Sequence, residues 1–310
     1  MGNLMLSKKY NVLLFLLLIA ILSIAISCAI QSVKSSSDRQ EENLQPILYI
    51  AAPDSNSTEM LIAEPSLITN ETCLVIATHG WIERTLWPQD LVLAIRGKVD
   101  CEKWICGWYD WRYQANRINP TDAAEFGKNN AGPMLGDEIV RLSKDWKHIH
   151  LIGHSAGAWV INEAAKIIAE ETNATIHLTF LDAYVPTFWN EDELGCVASD
   201  PNVSCWAEHY FTRDITLTVT EKLLEHAHNV DLTDVTPGIN DHKFPWHWYL
   251  ATVTGKYAEG QRYEGRELFY RAQTIEYGFA RSFEAGPDNW KASTALKMGI
   301  NVVKIQKRQE

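Results

Sequence analysis

The sequence predicts an α/β fold, a mostly parallel sheet with helices on both faces, and three observations carry that prediction. Short apolar runs recur at 74–78, 104–110, 149–153 and 176–182, the lengths and compositions of buried strands. Longer amphipathic stretches at 89–98, 123–147 and 156–170 lie among them and read as helices. Strand and helix therefore alternate along the chain, the order that βαβ units impose on a parallel sheet. Two earlier apolar runs, 47–51 and 60–63, have no helix between them and read as antiparallel entry strands. In the 310 residues nothing repeats, and residues 45–285 suffice for one domain with a single sizeable core. Residues 286–310 form a tail in which 290–305 has the spacing of an amphipathic helix and 306–310 frays.

The chain begins with a targeting pattern. Lys8 and Lys9 precede the uncharged, Leu- and Ile-rich residues 10–33. Ile24-Ala25-Ile26-Ser27-Cys28 resembles the lipobox of bacterial lipoproteins, which makes Cys28 a candidate lipidated amino terminus after removal of the leader. An uncleaved single-span anchor is the competing reading, because residues 12–30 reach the ~18 apolar or small residues that a spanning helix requires. Either form exports the domain and tethers it to a membrane at the cell envelope. Residues 29–44 are polar, rich in Ser and Glu, and suit a flexible tether.

The net charge is −11, and loss of Lys8 and Lys9 with a leader takes it to −13, which argues against nucleic acid as a partner. Five cysteines remain beyond Cys28. Their spacing favours two local bridges, Cys101–Cys106 and Cys196–Cys205, with Cys73 as a buried packing residue. No Cys-x-x-Cys pair exists and His226-x-His228 lacks a third ligand, so neither a metal site nor any organic cofactor is expected. The sequence does not address oligomeric state.

Chemistry concentrates at residues 151–157, Leu-Ile-Gly-His-Ser-Ala-Gly. A strand that runs through Gly-x-Ser-x-Gly into a helix is the nucleophile elbow of a serine hydrolase. Gly153 and Gly157 let strand and helix approach closely, and the helix amino terminus favours negative charge beside Ser155. A serine nucleophile requires a base oriented by an acid, in the chain order Ser, acid, His. The strand 176–181 ends in Asp182, the first choice of acid; Asp214 and Asp231, each near a later strand end, compete. His242 lies in a loop just before a helix at 248–254 and is the first choice of base. His247 is the alternative, although its place among Trp246, Trp248 and Tyr249 suits packing. Two backbone donors must face the oxyanion. Ala156 supplies one, and Trp81 the second, with Gly80 letting the backbone approach after His79.

These motifs resemble those of pancreatic-lipase-like α/β-hydrolases. Thr78-His79-Gly80-Trp81-Ile82, Tyr109-Asp110-Trp111, residues 150–157, Leu181-Asp182-Ala183 and Asn240-Asp241-His242 recur in that family's order, over roughly 74–253. The resemblance implies an α/β-hydrolase fold, Asp182 as the acid, Trp81 as the second oxyanion donor, and an ester or lipid substrate. The chain departs from the family in having no room for its carboxy-terminal β-sandwich and no long disulfide-closed lid before Asp241. The loop between Cys196 and Cys205 is a candidate cap in its place. The expected activity is that of a membrane-tethered serine carboxylic ester hydrolase, related to lipases and esterases. The alternatives are an amide, thioester or phospholipid acyl hydrolase on the same triad, or a non-catalytic envelope binding protein on a hydrolase scaffold.

Overall fold

A computed structural model describes residues 45–50, 68–190, 193–196, 204–213, 218–238, 241–272, 274–282 and 302–307. The leader with Cys28, the tether 29–44, the expected strand 60–63, Asp214 and most of 286–310 lie outside these residues. Among the described residues no helix is long and apolar enough to cross a membrane.

The strands of the main sheet are β1 (Ile47–Ile50), β2 (Cys73–Thr78), β3 (Trp104–Asp110), β4 (His148–His154), β5 (Thr175–Leu181), β6 (Cys205–Phe211), β7 (His228–Asp231) and β8 (Val302–Lys304), apart from a two-residue hairpin pair, Arg271–Ala272 with Ile275–Glu276. They form one eight-stranded sheet in the order β1-β3-β2-β4-β5-β6-β7-β8. Only β1 is antiparallel, paired with β3. Every other neighbour is parallel. Helices α1 (Trp87–Arg96), α2 (Pro120–Phe126), α3 (Gly132–Leu142), α4 (Gly157–Glu171) and α5 (Phe244–Thr254) cover the two faces.

Side-chain alternation along each strand divides the core in two. Leu74 and Ile76 of β2 join Ile149, Leu151, Ile176 and Leu178 against Leu135 and Ile139 of α3 and Trp159 and Ile161 of α4. Val75 and Ala77 point the other way, with Ile152, Leu181 and Val230, onto Trp87 and Leu91 of α1 and Trp248 and Tyr249 of α5. The strands are consequently anchored from both sides, and their carboxyl ends are fixed in register: Thr78 pairs with Gly153, and His154 with Leu181.

Four expectations need correction. The helix expected at 123–147 is α2 and α3 with a π-helical turn, Gly127–Ala131, between them, and it ends at Leu142. Gly132 is the reason the second half can lie so close to α4: a Cβ there would sit 2.8 Å from Glu163 Cβ and from the Val160 carbonyl. The Cys101–Cys106 bridge is absent. Cys106 lies on β3 with its side chain in the core beneath α1, whereas the exposed Cys101 turns its thiol towards the Arg96 and Val99 carbonyls. The end of the expected tail helix is a strand, because β8 adds in parallel to β7 and buries Ile305. Residues 186–206, rich in Asp, Asn and Glu without a clear period and so expected as a surface excursion near the site, are not wholly irregular, since Cys205 and Trp206 begin β6. The Cys196–Cys205 disulfide is formed.

Candidate active site

Three loops at the carboxyl edge of the sheet hold Trp81, Ser155 and Asp182, and all three contain a side chain in the left-handed region; His242 comes from a fourth, before α5. Ile82 follows β2 with φ 48°, Ser155 follows β4 with φ 54°, and Asp182 follows β5 with φ 50°. Such backbone costs of order 1–3 kcal/mol per residue and persists only where its surroundings impose it. At Ser155 they do. Its N–H donates to the Leu181 carbonyl at 3.0 Å, and its own carbonyl accepts from Ala158 and Tyr184. The turn also needs glycine on three sides. A Cβ on Gly80 would lie 2.6 Å from Ser155 Cβ, one on Gly153 would lie 2.6 Å from the Gly157 carbonyl, and one on Gly157 would strike the His79 carbonyl. Ala156 stands directly before α4, so the first amides of that helix begin beside Ser155.

Asp182 is fully buried. Its N–H continues the sheet ladder to the Tyr210 carbonyl at 2.8 Å. Its Oδ2 accepts from His242 Nδ1 at 2.6 Å, and its Oδ1 accepts from the Thr212 amide at 2.8 Å. Burial pushes this carboxyl above the usual carboxylate range, against the pull of His242, Thr212 and the Thr220 side chain. Since a carboxylate accepts, His242 carries its proton on Nδ1 and keeps Nε2 for other chemistry. His242 precedes α5, three-quarters buried, and its carbonyl accepts from His154 Nε2 at 2.9 Å.

The loop after β2 is tied to the end of β3. His79 Nδ1 donates to the Gly80 carbonyl and Nε2 accepts from the Trp111 amide, while Trp111 Nε1 donates to the His79 carbonyl. Trp81 is half-buried and its indole donates to the Arg117 carbonyl at 2.8 Å. Glu83 closes the loop by accepting from the Arg84 and Thr85 amides and the Thr85 hydroxyl. Its carboxylate lies 3.8 Å from Lys243 Nζ, next to His242.

Of the competing residues, Asp231 is occupied by Arg213 and the Thr233 amide. His247 stacks on Trp246 with ring centroids 3.5 Å apart and faces Tyr263; burial lowers its pKa to about 4. Sequence reasoning missed Thr212, Thr220, Glu83 and His154. No spacing rule points to the first three, whereas His154 stands within the elbow motif itself.

It also missed a buried cluster inside the sheet. His150, His177 and Glu208, from β4, β5 and β6, bring one donor atom each to within 4.8 Å of one another. The signal was present as polar residues inside otherwise apolar strands. The two imidazoles stack with centroids 3.8 Å apart and planes within 4°. Imidazole lone pairs lie in the ring plane, and planes this near to parallel share no point in line with both. The atoms are instead joined as a chain: His150 Nε2 to Thr179 Oγ1 at 2.8 Å, Thr179 Oγ1 to Glu208 Oε1 at 2.9 Å, His177 Nε2 to the same oxygen at 3.3 Å, and Tyr210 to Oε2 at 2.7 Å.

The parallel sheet with one antiparallel entry strand, the elbow after β4 and the acid-bearing turn after β5 define the architecture. The chain has an α/β-hydrolase fold. No family model and no curated protein matches its sequence. Among solved structures it is similar to esterase 2 of Thermogutta terrifontis. The apo form shares 15% identity, covering 56% of this chain and 68% of that one at a TM-score of 0.30. The paraoxon-phosphorylated form shares 15% over 68% and 86% of the two chains, at 0.32. The butyrate-bound form shares 14% over 86% and 80%, at 0.28.

Proposed function

We propose that this α/β-hydrolase is a serine carboxylic ester hydrolase tethered to a membrane through residues 1–28. The observation that carries the reading is the 2.6 Å bond between buried Asp182 and His242, beside a serine held at φ 54° on the elbow. Ser155 Oγ attacks the acyl carbonyl carbon while His242 Nε2 takes the hydroxyl proton. Asp182 accepts from Nδ1, so the proton stays on the imidazole, and its charge stabilises the imidazolium that forms. The Ala156 and Trp81 amides face the oxyanion, each such donor contributing ~3–4 kcal/mol in comparable sites. Collapse expels the alcohol with the proton from His242. Water, deprotonated by the same histidine, then releases the acid and regenerates Ser155.

Apolar side chains crowd the same edge. Ile82 and Leu86 after β2, Tyr113 and Ile118 after β3, and Phe188 after β5 are exposed, Ile118 to 95% and Phe188 to 97%. A rim of this kind supports an ester with an apolar acyl or alcohol part.

Hydrolysis of p-nitrophenyl esters of graded chain length by the full chain in detergent tests the reading, with Ser155→Ala and a fluorophosphonate probe alongside. Turnover and labelling that both vanish in Ser155→Ala support it. A folded wild type that neither turns over nor labels would instead favour a binding protein on this scaffold.

A further inference from the structure

We propose that His154 is a positioning residue that holds His242 for proton transfer by bonding its backbone carbonyl, an inference that rests on the ester-hydrolase reading above. The contact is directional. A carbonyl only accepts, so His154 Nε2 carries the hydrogen and donates across 2.9 Å. The two rings lie with centroids 4.6 Å apart at 38°, and the far side of His154 meets the edge of Trp87 at 6.0 Å.

The rest of the His242 loop shows why such a bond matters. Asp182 fixes Nδ1, which leaves the ring free to pivot about that one point. The neighbours are held by their side chains: Asp241 by the Tyr263 hydroxyl and Arg262, Lys243 by Glu83. His154 alone reaches the His242 main chain with a side chain, among the bonds of the described residues. It is also covalently joined to Ser155, as the last residue of β4. The bond therefore ties the His242 main chain to the residue that carries the elbow serine.

A neutral ring is required for this task. A cation 4.6 Å from His242 would oppose the imidazolium that forms as Ser155 loses its proton. Burial, reinforced by the positive charge that His242, Lys243 and His79 can carry, holds His154 well below the ordinary histidine range. Glu83 and Asp182 are the carboxylates on the adjoining loops, each engaged by its own donors. His154 thus donates its bond without adding charge to the site.

The test compares His154→Gln, whose amide nitrogen occupies the reach of Nε2, with His154→Leu and with His154→Asn, whose amide falls short. The readouts are kcat and KM on a p-nitrophenyl ester, the melting temperature, and the far-downfield NMR proton of the His242–Asp182 bond. Displacing a reacting group by ~1 Å costs on the order of 100-fold, so kcat falls about 10- to 100-fold in the Leu and Asn variants with KM little changed. The downfield proton broadens or moves in both, and His154→Gln restores kcat and resonance together. Asn against Gln decides the matter if the Leu variant does not fold. Wild-type kcat and an unmoved resonance in His154→Asn would overturn the proposal. A wild type without esterase activity would instead refute the ester reading, and the NMR comparison would still decide whether His154 orders His242.

Discussion

Two histidine–carboxylate pairs, His177–Glu208 within the sheet and His242–Asp182 on the loops at its carboxyl edge, have opposite characters. In the middle, His177 and Glu208 are both 0% exposed, and Glu208 accepts from Thr179, His177 and Tyr210. At the edge, Asp182 is equally buried, yet His242 remains 25% exposed with only Nδ1 committed. The mid-sheet network directs its bonds inward and serves packing. The edge pair engages one imidazole nitrogen, Nδ1, and leaves the ring partly exposed. Burial of the acid is common to both, so the difference lies in the base: a histidine locked inside the sheet cannot exchange a proton with a ligand, whereas one on a loop over the edge can.

Mutation separates the two regions most sharply. Ser155→Ala is expected to lower kcat on the order of 10⁶-fold, and Asp182→Asn, which leaves His242 without its ionised partner, about 10⁴-fold. Neither substitution makes a large cavity, and steady-state kinetics beside thermal melting should show full loss of rate with the fold retained. His177→Ala is expected to do the converse. Removing one partner of a buried pair costs about 3–5 kcal/mol, and denaturant melts should show that loss while kcat per folded molecule stays near wild type. Unchanged stability in His177→Ala, or a large fall in its kcat, would dissolve the distinction.

The edge was more legible in the sequence than the middle. Gly153, Ser155 and Gly157 announce a turn whose sterics admit few alternatives, and Asp182 follows an uninterrupted apolar run, so chain order alone placed both at one edge. The bonds that make Asp182 buried yet ionisable come from Thr212 and Thr220, 30 and more residues away, and no local pattern encodes them. β6 and β7 were expected only through their ends, near Asp214 and Asp231, and their runs escaped for a related reason. Cys205–Phe211 and His228–Asp231 carry Glu, His, Asn and Asp at positions that tertiary hydrogen bonds satisfy, and these residues mask the apolar signature of a buried strand. The Cys101–Cys106 pairing failed because short spacing says nothing of direction: β3 turns Cys106 inward, away from the turn that holds Cys101.

Acid should probe the ground between the two regions. His209 on β6 accepts from the Ala183 amide, next to Asp182, and donates to Asn229. Burial depresses its pKa from 6.5 to about 4. A histidine whose folded value lies below its unfolded value contributes stability that is complete above the unfolded value and is lost as pH falls towards the folded one. The window is therefore pH 6.5 down to about 4, and the loss there is roughly 3 kcal/mol. Glu208, held below its usual value by His177 and Tyr210 despite its burial, extends the fall below the ordinary carboxylate range. His209→Gln keeps an acceptor for Ala183 without the titration, so its melting temperature should decline less between pH 6.5 and 4 than that of the wild type. Parallel declines would mean that His209 is not the group that senses acid.

The smallest expected effect concerns the Cys196–Cys205 bridge, which corrects the expected cap: Cys205 opens β6 level with Ile176, at the amino edge of the sheet, opposite the edge that holds Asp182. Cys196 and Cys205 are nine residues apart, a short loop for which chain entropy gives a stabilisation just under ~3 kcal/mol. The stem of that loop has other fastenings. Asn162 of α4 donates to the Glu193 carbonyl and accepts from the Gly195 amide, both at 2.9 Å. Lys128 pairs with Glu193, and Trp189 stands edge-on to Trp159 at 4.5 Å. A segment so tied to α4 should hold its place without the bridge. Replacing both cysteines by serine is therefore expected to lower the melting temperature while kcat and KM change less than about two-fold, since nothing in the Asp182–His242 pair depends on the bridge. A marked change in kcat or KM in that variant would instead couple the amino edge of the sheet, where the bridge lies, to the residues at its carboxyl edge.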